Sequence, residues 1–142
     1  MQSVQKKKLK KIKLVITDVD GVLTDGGMYY SKDGDYLKKF NTRDAMGMEI
    51  LLGLGVKTVM LTRENSEIVK ARAKKIKISK LYSGVIDKKK ILKEILKEYK
   101  ISTEQIAYIG DDVNDLEIMK SVGFSVTPYN GIDQIKKISN YV

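Results

Sequence analysis

The chain has 142 residues, a formal net charge of +9, and neither cysteine nor histidine. Its length fits one domain, and its 42% hydrophobic and 32% charged residues are typical of a folded globular protein. The missing residue types exclude disulfides, a thiol nucleophile, a Ser-His-Asp triad and imidazole-bound zinc, so that any metal would have oxygen ligands.

The chain begins with a lysine-rich segment, residues 1–12, which we expect to be a frayed, solvated lead-in to the first strand. No apolar signal core follows it, and no apolar run approaches the ~20 residues of a membrane span, so we expect a cytoplasmic protein with no membrane partner. The positive charge is compatible with acidic partners, but a solvated lysine-rich surface explains it as well. No aromatic residues are interleaved to stack bases, and we expect no nucleic-acid partner.

The predicted elements alternate between strands and helices. A buried strand at 14–17 is followed by a hairpin at 26–40, in which Asp33-Gly34 separates two aromatic runs. The later elements are predicted as helix 44–54, strand 56–61, helix 66–76, a strand or turn at 81–85, helix 87–99, a capped turn at 102–105, strand 106–109, helix 114–121, strand 124–126 and helix 132–138. This order predicts an α/β domain over 1–142, with a Rossmann-like parallel sheet and helices on both faces.

Polar side chains cluster where three predicted strands end: Asp18 and Asp20, then Thr62, then Asp111, Asp112 and Asp115. The carboxyl ends of parallel strands form the binding crevice of such sheets, so these groups are expected to meet there. Carboxylates held close together repel one another, so such a cluster usually needs a cation. Oxygen ligands favour Mg²⁺ or Ca²⁺, and Mg²⁺ commonly shares its coordination shell with phosphate. Taken alone, Asp18 and Asp20 are better explained as turn-forming acids, and the acids of GDDVND are explained equally well as capping and loop residues. Together, and with Lys88, they indicate a catalytic site.

The segment DVDGVLTDG resembles the first motif of the haloacid dehalogenase superfamily. Thr62, Lys88 and the segment GDDVND are similar to the second, third and fourth motifs, in the family's order and spacing. The resemblance covers about residues 14–141. The Tyr-rich hairpin and the segment FNTRDAMG are similar to the capless branch that acts on 3-deoxy-manno-octulosonate 8-phosphate and on nononate or N-acylneuraminate 9-phosphates. This resemblance implies a phosphatase with a hairpin flap and no large cap domain.

The resemblance also implies how such an enzyme would work. Asp18 would attack phosphorus to form an aspartyl phosphate. Asp20 would protonate the leaving sugar oxygen and then activate water for the second step. Thr62 and Lys88 would hold phosphate oxygens and stabilise the developing charge.

The implied cofactor is Mg²⁺, held by Asp18, the backbone carbonyl of Asp20, and Asp111. Asp112 would orient the motif-three lysine or a metal-bound water. Asp115 would act from behind these ligands.

The resemblance further implies a substrate pocket lined by Asn41, Thr42, Arg43, Asp44 and Ala45. Arg72 would meet an acid group of the substrate, with a solvated helix arginine as the alternative. The hairpin would help assemble a homotetramer whose neighbouring subunits close the site. Ordinary hairpin packing is the alternative explanation of Tyr29, Tyr30 and Tyr36.

Motif two departs from the eight-carbon enzymes, which usually carry Thr-Gly-Arg where this chain reads Thr62-Arg63-Glu64. Relatives that act on nine-carbon substrates resemble this chain in having Glu at the third position of motif two. They also have a lysine about three helical turns later, and Lys75 would match that lysine. Replacing Arg by Glu reverses the charge at this position, which favours a nine-carbon keto acid phosphate as the substrate. Arg63 fits neither pattern. The chain stops at residues 140–142, without the Gly-rich tail usual in the family.

Other functions stay open. A general small-molecule phosphatase would use the same groups, and a kinase or mutase would reuse the aspartyl phosphate, although no large cap is present to shield it from water. A noncatalytic scaffold subunit is disfavoured because the motif residues are intact. The pathway, whether lipopolysaccharide, capsule or sialic-acid synthesis, is left open.

Overall fold

The computed structural model describes residues 3–142. Its strands are β1 (Leu14–Thr17), β2 (Tyr29–Ser31), β3 (Gly34–Leu37), β4 (Lys57–Leu61), β5 (Lys80–Tyr82), β6 (Ile106–Ile109) and β7 (Phe124–Val126). Its α-helices are α1 (Ser3–Leu9), α2 (Thr42–Gly53), α3 (Glu67–Lys75), α4 (Lys88–Tyr99), α5 (Leu116–Met119) and α6 (Asp133–Ile138).

Five strands form one parallel sheet in the order β5-β4-β1-β6-β7, and β2 and β3 form a separate antiparallel hairpin. The central strand β1 pairs with β4 and β6, so that Ile16 lies opposite Val59 on one side and Tyr108 on the other. The predicted α/β class, the hairpin after β1 and the lack of a large cap are confirmed. The three strands that carry the predicted acids and Thr62 are therefore neighbours.

Both faces of the sheet are covered, which explains why its central strands are mostly apolar rather than alternating. Leu14 and Ile16 pack in the same cluster as residues of α4, α5 and α6, including Ile95. The intervening Val15 points to the opposite face, where another cluster contains Met48 of α2 and Val69 of α3. Each fully buried side chain of this size contributes about 1.5–3 kcal/mol of transfer free energy. Helices on both faces are confirmed.

The lysine-rich lead-in is helical rather than frayed, since α1 covers Ser3–Leu9; residues 1 and 2 lie outside the described part of the chain. Three lysines occupy its last turn, where they interact favourably with the carbonyl end of the helix. Beyond them, Leu9 and Ile12 pack against a core cluster that includes Phe124. This long-range contact has no local sequence signal.

Two other predicted helices differ from the observed ones by two residues or more at one or both ends. Helix α2 begins at Thr42, two residues early, because the Asn41 side chain caps it by accepting the Arg43 N–H at 2.9 Å. The helix predicted at 114–121 is a 3₁₀ turn at Val113–Asp115 followed by the short α5. None of the described helices has both the length and the apolar character of a membrane span.

Candidate active site

The carboxyl ends of β1, β4 and β6 meet at one edge of the sheet and enclose a cavity of about 340 Å³. The predicted residues that line this cavity are Asp18, Asp20, Thr62, Glu64, Asp111 and Asp112. Three lining residues, Arg63, Ile86 and Asn114, were not predicted as site residues. Asn114 belongs to the segment GDDVND, so its place after β6 was a usable signal.

Asp18 follows β1 and is only 5% exposed. Its Oδ1 accepts the Val19 N–H at 2.7 Å, and its Oδ2 lies 2.6 Å from Lys88 Nζ. Burial and the negative charge of Asp115 raise the pKa of Asp18 to about 7, although Lys88 acts in the opposite direction. The site therefore holds a carboxylate whose negative charge needs a nearby cation.

Lys88 is the first residue of α4, and its ammonium is buried between two carboxylates. Nζ lies 2.6 Å from Asp18 and 2.7 Å from Asp115 Oδ1, which also accepts the Tyr108 hydroxyl at 2.7 Å. The other Asp115 oxygen accepts the Asp111 backbone N–H at 3.0 Å. Asp115 thus fixes both the lysine and the loop that carries Asp111.

The prediction that Asp112 orients Lys88 is wrong, because the structure gives that contact to Asp115. The Asp112 carboxylate turns instead to the Val113 N–H, 2.6 Å away, as a capping side chain next to the cavity. The alternative role for Asp112, contact with a metal-bound water, stays a prediction.

The carboxylates fit a hard divalent cation. Asp18, Asp111 and Asp115 each offer an oxygen, and these atoms lie within 4.8 Å of one another. Asp18 and Asp111 line the cavity, whereas Asp115 does not, so Asp18 and Asp111 are the better ligands. Asp111 Oδ1 is buried without a hydrogen-bond partner in the described chain, and burial, followed by the charges of Asp115 and Asp112, raises the pKa of Asp111 to about 6. Oxygen donors of this kind suit Mg²⁺.

Gly21 lets the loop after β1 approach Asp111. Its φ of +86° is in the left-handed region, and a Cβ at this position would overlap the Asp111 carboxylate. The first motif therefore needs glycine here for both backbone conformation and space.

Asp20 has a partner that sequence reasoning missed. Its Oδ1 accepts a hydrogen bond from Lys38 Nζ at 2.7 Å, and Lys38 also lies 3.1 Å from Asp35 Oδ2. Burial lowers the pKa of Lys38, but the hydrogen bonds to both carboxylates outweigh it and raise that pKa overall. Asp20 Oδ2 is buried and has no hydrogen-bond partner among the described residues.

Thr62 is the residue directly after β4, and it is only 1% exposed. Its backbone N–H donates to the Tyr82 carbonyl at 2.9 Å, and its Oγ1 accepts the Glu64 N–H at 3.2 Å. This turn places Arg63 and Glu64 on the exposed rim of the cavity.

Of the predicted substrate residues, Asp20 and Glu64 line the acidic cavity and Lys88 contacts Asp18. The others are absent from the lining of this cavity: Asn41, Thr42, Arg43, Asp44, Ala45, Arg72 and Lys75. Arg72 is half-buried rather than solvated, and it donates to the Asn41 carbonyl at 2.9 Å and lies over the Phe40 ring. Thr42, Ala45, Arg72 and Lys75 share a separate cavity of about 540 Å³. Their role in substrate binding stays a prediction.

Comparison with known proteins adds a family match. The haloacid dehalogenase-like hydrolase profile matches residues 57–142. The 3-deoxy-D-manno-octulosonate 8-phosphate phosphatase of Haemophilus influenzae is 34% identical over 95% of this chain and 75% of its own length. The enzyme of the same name from Escherichia coli K12 is 37% identical over 84% of this chain, which spans only 63% of that protein.

A solved structure shows the same architecture. The octulosonate 8-phosphate phosphatase of Moraxella catarrhalis, in complex with a magnesium ion, a phosphate ion and KDO, superposes with a TM-score of 0.94 at 35% identity. The match covers 99% of this chain and 81% of that one.

Proposed function

This chain belongs to the haloacid dehalogenase-like hydrolases and is a phosphoric monoester hydrolase, and we propose that it is a Mg²⁺-dependent phosphatase of a 2-keto-3-deoxy sugar acid phosphate. The observation that carries the proposal is the enclosed contact between Asp18 and Lys88 beside Asp20, Thr62 and Asp111. Asp18, Asp20 and Thr62 line one cavity, and the buried Lys88 contacts Asp18, so a nucleophile, an acid-base group and phosphate-binding groups lie together.

In the first step, an Asp18 oxygen attacks phosphorus as the bond from phosphorus to the sugar oxygen breaks. Asp20 gives its proton to that oxygen, so that the sugar acid leaves as an alcohol. Water then attacks the aspartyl phosphate, Asp20 takes a proton from this water, and the Asp18 carboxylate is released with inorganic phosphate. Lys88 and the Thr62 hydroxyl lie beside the transferred group and stabilise its charge.

Asp18, Asp111 and the backbone carbonyl of Asp20 would hold Mg²⁺. When bound, the ion would offset the repulsion between the nucleophilic carboxylate and the phosphate. The unpartnered Asp111 Oδ1 supports this ligand set, and Asp115 positions Asp111 through its backbone N–H.

Octulosonate 8-phosphate is the first candidate substrate, because the similar proteins bear that name. A nononate 9-phosphate is the second, since Glu64 lies on the rim of the cavity where octulosonate enzymes usually carry arginine. The proposal also includes a cytoplasmic homotetramer whose neighbouring subunits close the site. Tyr30 and Tyr36 of the hairpin, 71% and 70% exposed in the single chain, support such an assembly.

The test is phosphate release with Mg²⁺ from octulosonate 8-phosphate and nononate 9-phosphate side by side, with a general panel of phosphate esters. Asp18→Asn is the control and is expected to abolish release. Turnover of one sugar acid well above the panel supports the proposal. Equal turnover of many esters indicates a general phosphatase, and no release by the folded protein contradicts phosphatase activity on these esters.

A further inference from the structure

Lys38 connects the hairpin to the acid-base residue Asp20. It follows β3, and its side chain is only 1% exposed although the hairpin itself is largely open. Its ammonium lies 2.7 Å from Asp20 Oδ1 and 3.1 Å from Asp35 Oδ2. A cation buried between two carboxylates has a defined position, unlike an exposed ion pair.

Backbone pairing between the loop after Asp20 and the base of the hairpin fixes the distance between Lys38 and Asp20. Thr24, in the loop after Asp20, forms an isolated antiparallel bridge with Phe40, two residues beyond Lys38. The Thr24 hydroxyl also accepts the Gly21 N–H at 3.2 Å, which ties the bridge back to the turn next to Asp20. The base of the hairpin and the Asp20 loop therefore form one unit, and Asp35 holds the lysine from the hairpin side.

The contact distinguishes the two oxygens of Asp20. Oδ1 accepts from Lys38, whereas Oδ2 is buried without a hydrogen-bond partner in residues 3–142. When Asp20 is protonated, Lys38 donates to Oδ1, which leaves Oδ2 as the oxygen that carries the proton. The carboxyl plane is held at the same time, so the proton has a fixed direction.

We infer that Lys38 is a positioning residue, which orients Asp20 so that Oδ2 delivers its proton to the leaving oxygen. The inference rests on the proposed phosphatase function. In this step the proton passes from Asp20 Oδ2 to the ester oxygen while the phosphorus–oxygen bond breaks, and Lys38 keeps all of its protons.

The test compares esters that differ in their need for a proton. A sugar alkoxide leaves poorly without protonation, whereas p-nitrophenolate leaves readily as an anion. Because kcat/KM reports the steps up to departure of the leaving group, Lys38→Met is expected to lower it by about 10–100-fold for octulosonate 8-phosphate, a part of the roughly 10²–10⁴-fold that general acid–base catalysis contributes. For p-nitrophenyl phosphate the expected loss is under about threefold. Lys38→Arg, which keeps a cationic donor, should recover part of the loss.

Lys32→Met is the matched control, since Lys32 is an exposed lysine in the turn of the same hairpin, and both esters should react as with the unmodified protein. An equal loss on both esters, or no loss on either, overturns the inference. If Lys38→Met does not fold, as judged by its melting curve, Lys38→Gln takes its place in the same comparison. If the unmodified protein hydrolyses neither ester, both the proposed function and the inference fail. If the unmodified protein is active but Lys38→Met affects both esters equally, only the inference fails.

Discussion

The carboxylate of Asp115 lies 2.7 Å from the ammonium of Lys88, and neither side chain is exposed. The same ammonium lies 2.6 Å from Asp18, the proposed nucleophile. Asp115 also accepts a hydrogen bond from the buried Tyr108 hydroxyl. A residue that lines no part of the cavity therefore determines where the cation beside the nucleophile is held.

Asp115→Asn is expected to lower kcat for phosphate release by about 10–100-fold, the range typical of partners that orient ligands at metal sites. The amide removes the charge that holds Lys88, and an NH₂ in place of Oδ2 would face the Asp111 N–H as a second donor. Glu117→Gln makes the same acid-to-amide change on an exposed residue of the next turn, and its activity should be unchanged. Equal activity of the two variants would contradict the role of Asp115.

Gly21→Ala is expected to remove the response to Mg²⁺. The new Cβ would displace the Asp111 carboxylate, a proposed ligand. At Mg²⁺ 100-fold above Kd, the unmodified protein should gain about 2.7 kcal/mol of stability, seen as a rise in Tm, and Gly21→Ala should gain almost none. Gly55→Ala is the control, because Gly55 also has a positive φ, +77°, but faces open space. It should lose stability through backbone strain yet keep the full Mg²⁺ response.

Glu64→Arg is expected to shift selectivity toward the eight-carbon substrate. The change reverses the charge on the cavity rim beside Thr62. The eight-carbon substrate should gain an attractive contact and the nine-carbon substrate should lose one, so the kcat/KM ratio is expected to change by about tenfold or more. The measurement is the ratio of kcat/KM for octulosonate 8-phosphate and nononate 9-phosphate. Glu67→Arg, an exposed change at the start of α3, should leave the ratio alone. An unaltered ratio in Glu64→Arg would show that this residue does not select the substrate.

The site was largely predictable where strand ends, motif spacing and chemistry agreed. Asp18 and Asp111 follow the adjacent strands β1 and β6, so parallel pairing of these strands brings them together. Lys38 was not predictable, because its contact with Asp20 depends on how the hairpin folds back on the loop after β1. The contact with Lys88 was predicted for Asp112 but is made by Asp115, for a similar reason. A 3₁₀ turn, rather than a regular helix, contains Asp115 and leaves it buried.

The exposed tyrosines of the hairpin provide a test of the proposed assembly. Tyr30→Ser combined with Tyr36→Ser removes two aromatic side chains that are 71% and 70% exposed in the single chain. If they pack between subunits, the molar mass measured by light scattering should fall from that of four 16.1-kDa chains, and turnover of the sugar acid phosphate should fall with it because the neighbours no longer close the site. Tyr129→Ser removes a tyrosine that is 88% exposed outside the hairpin, and it should leave both mass and turnover unchanged. A monomeric unmodified protein with full activity would contradict the assembly, and it would require the acidic cavity of one chain to bind the substrate alone.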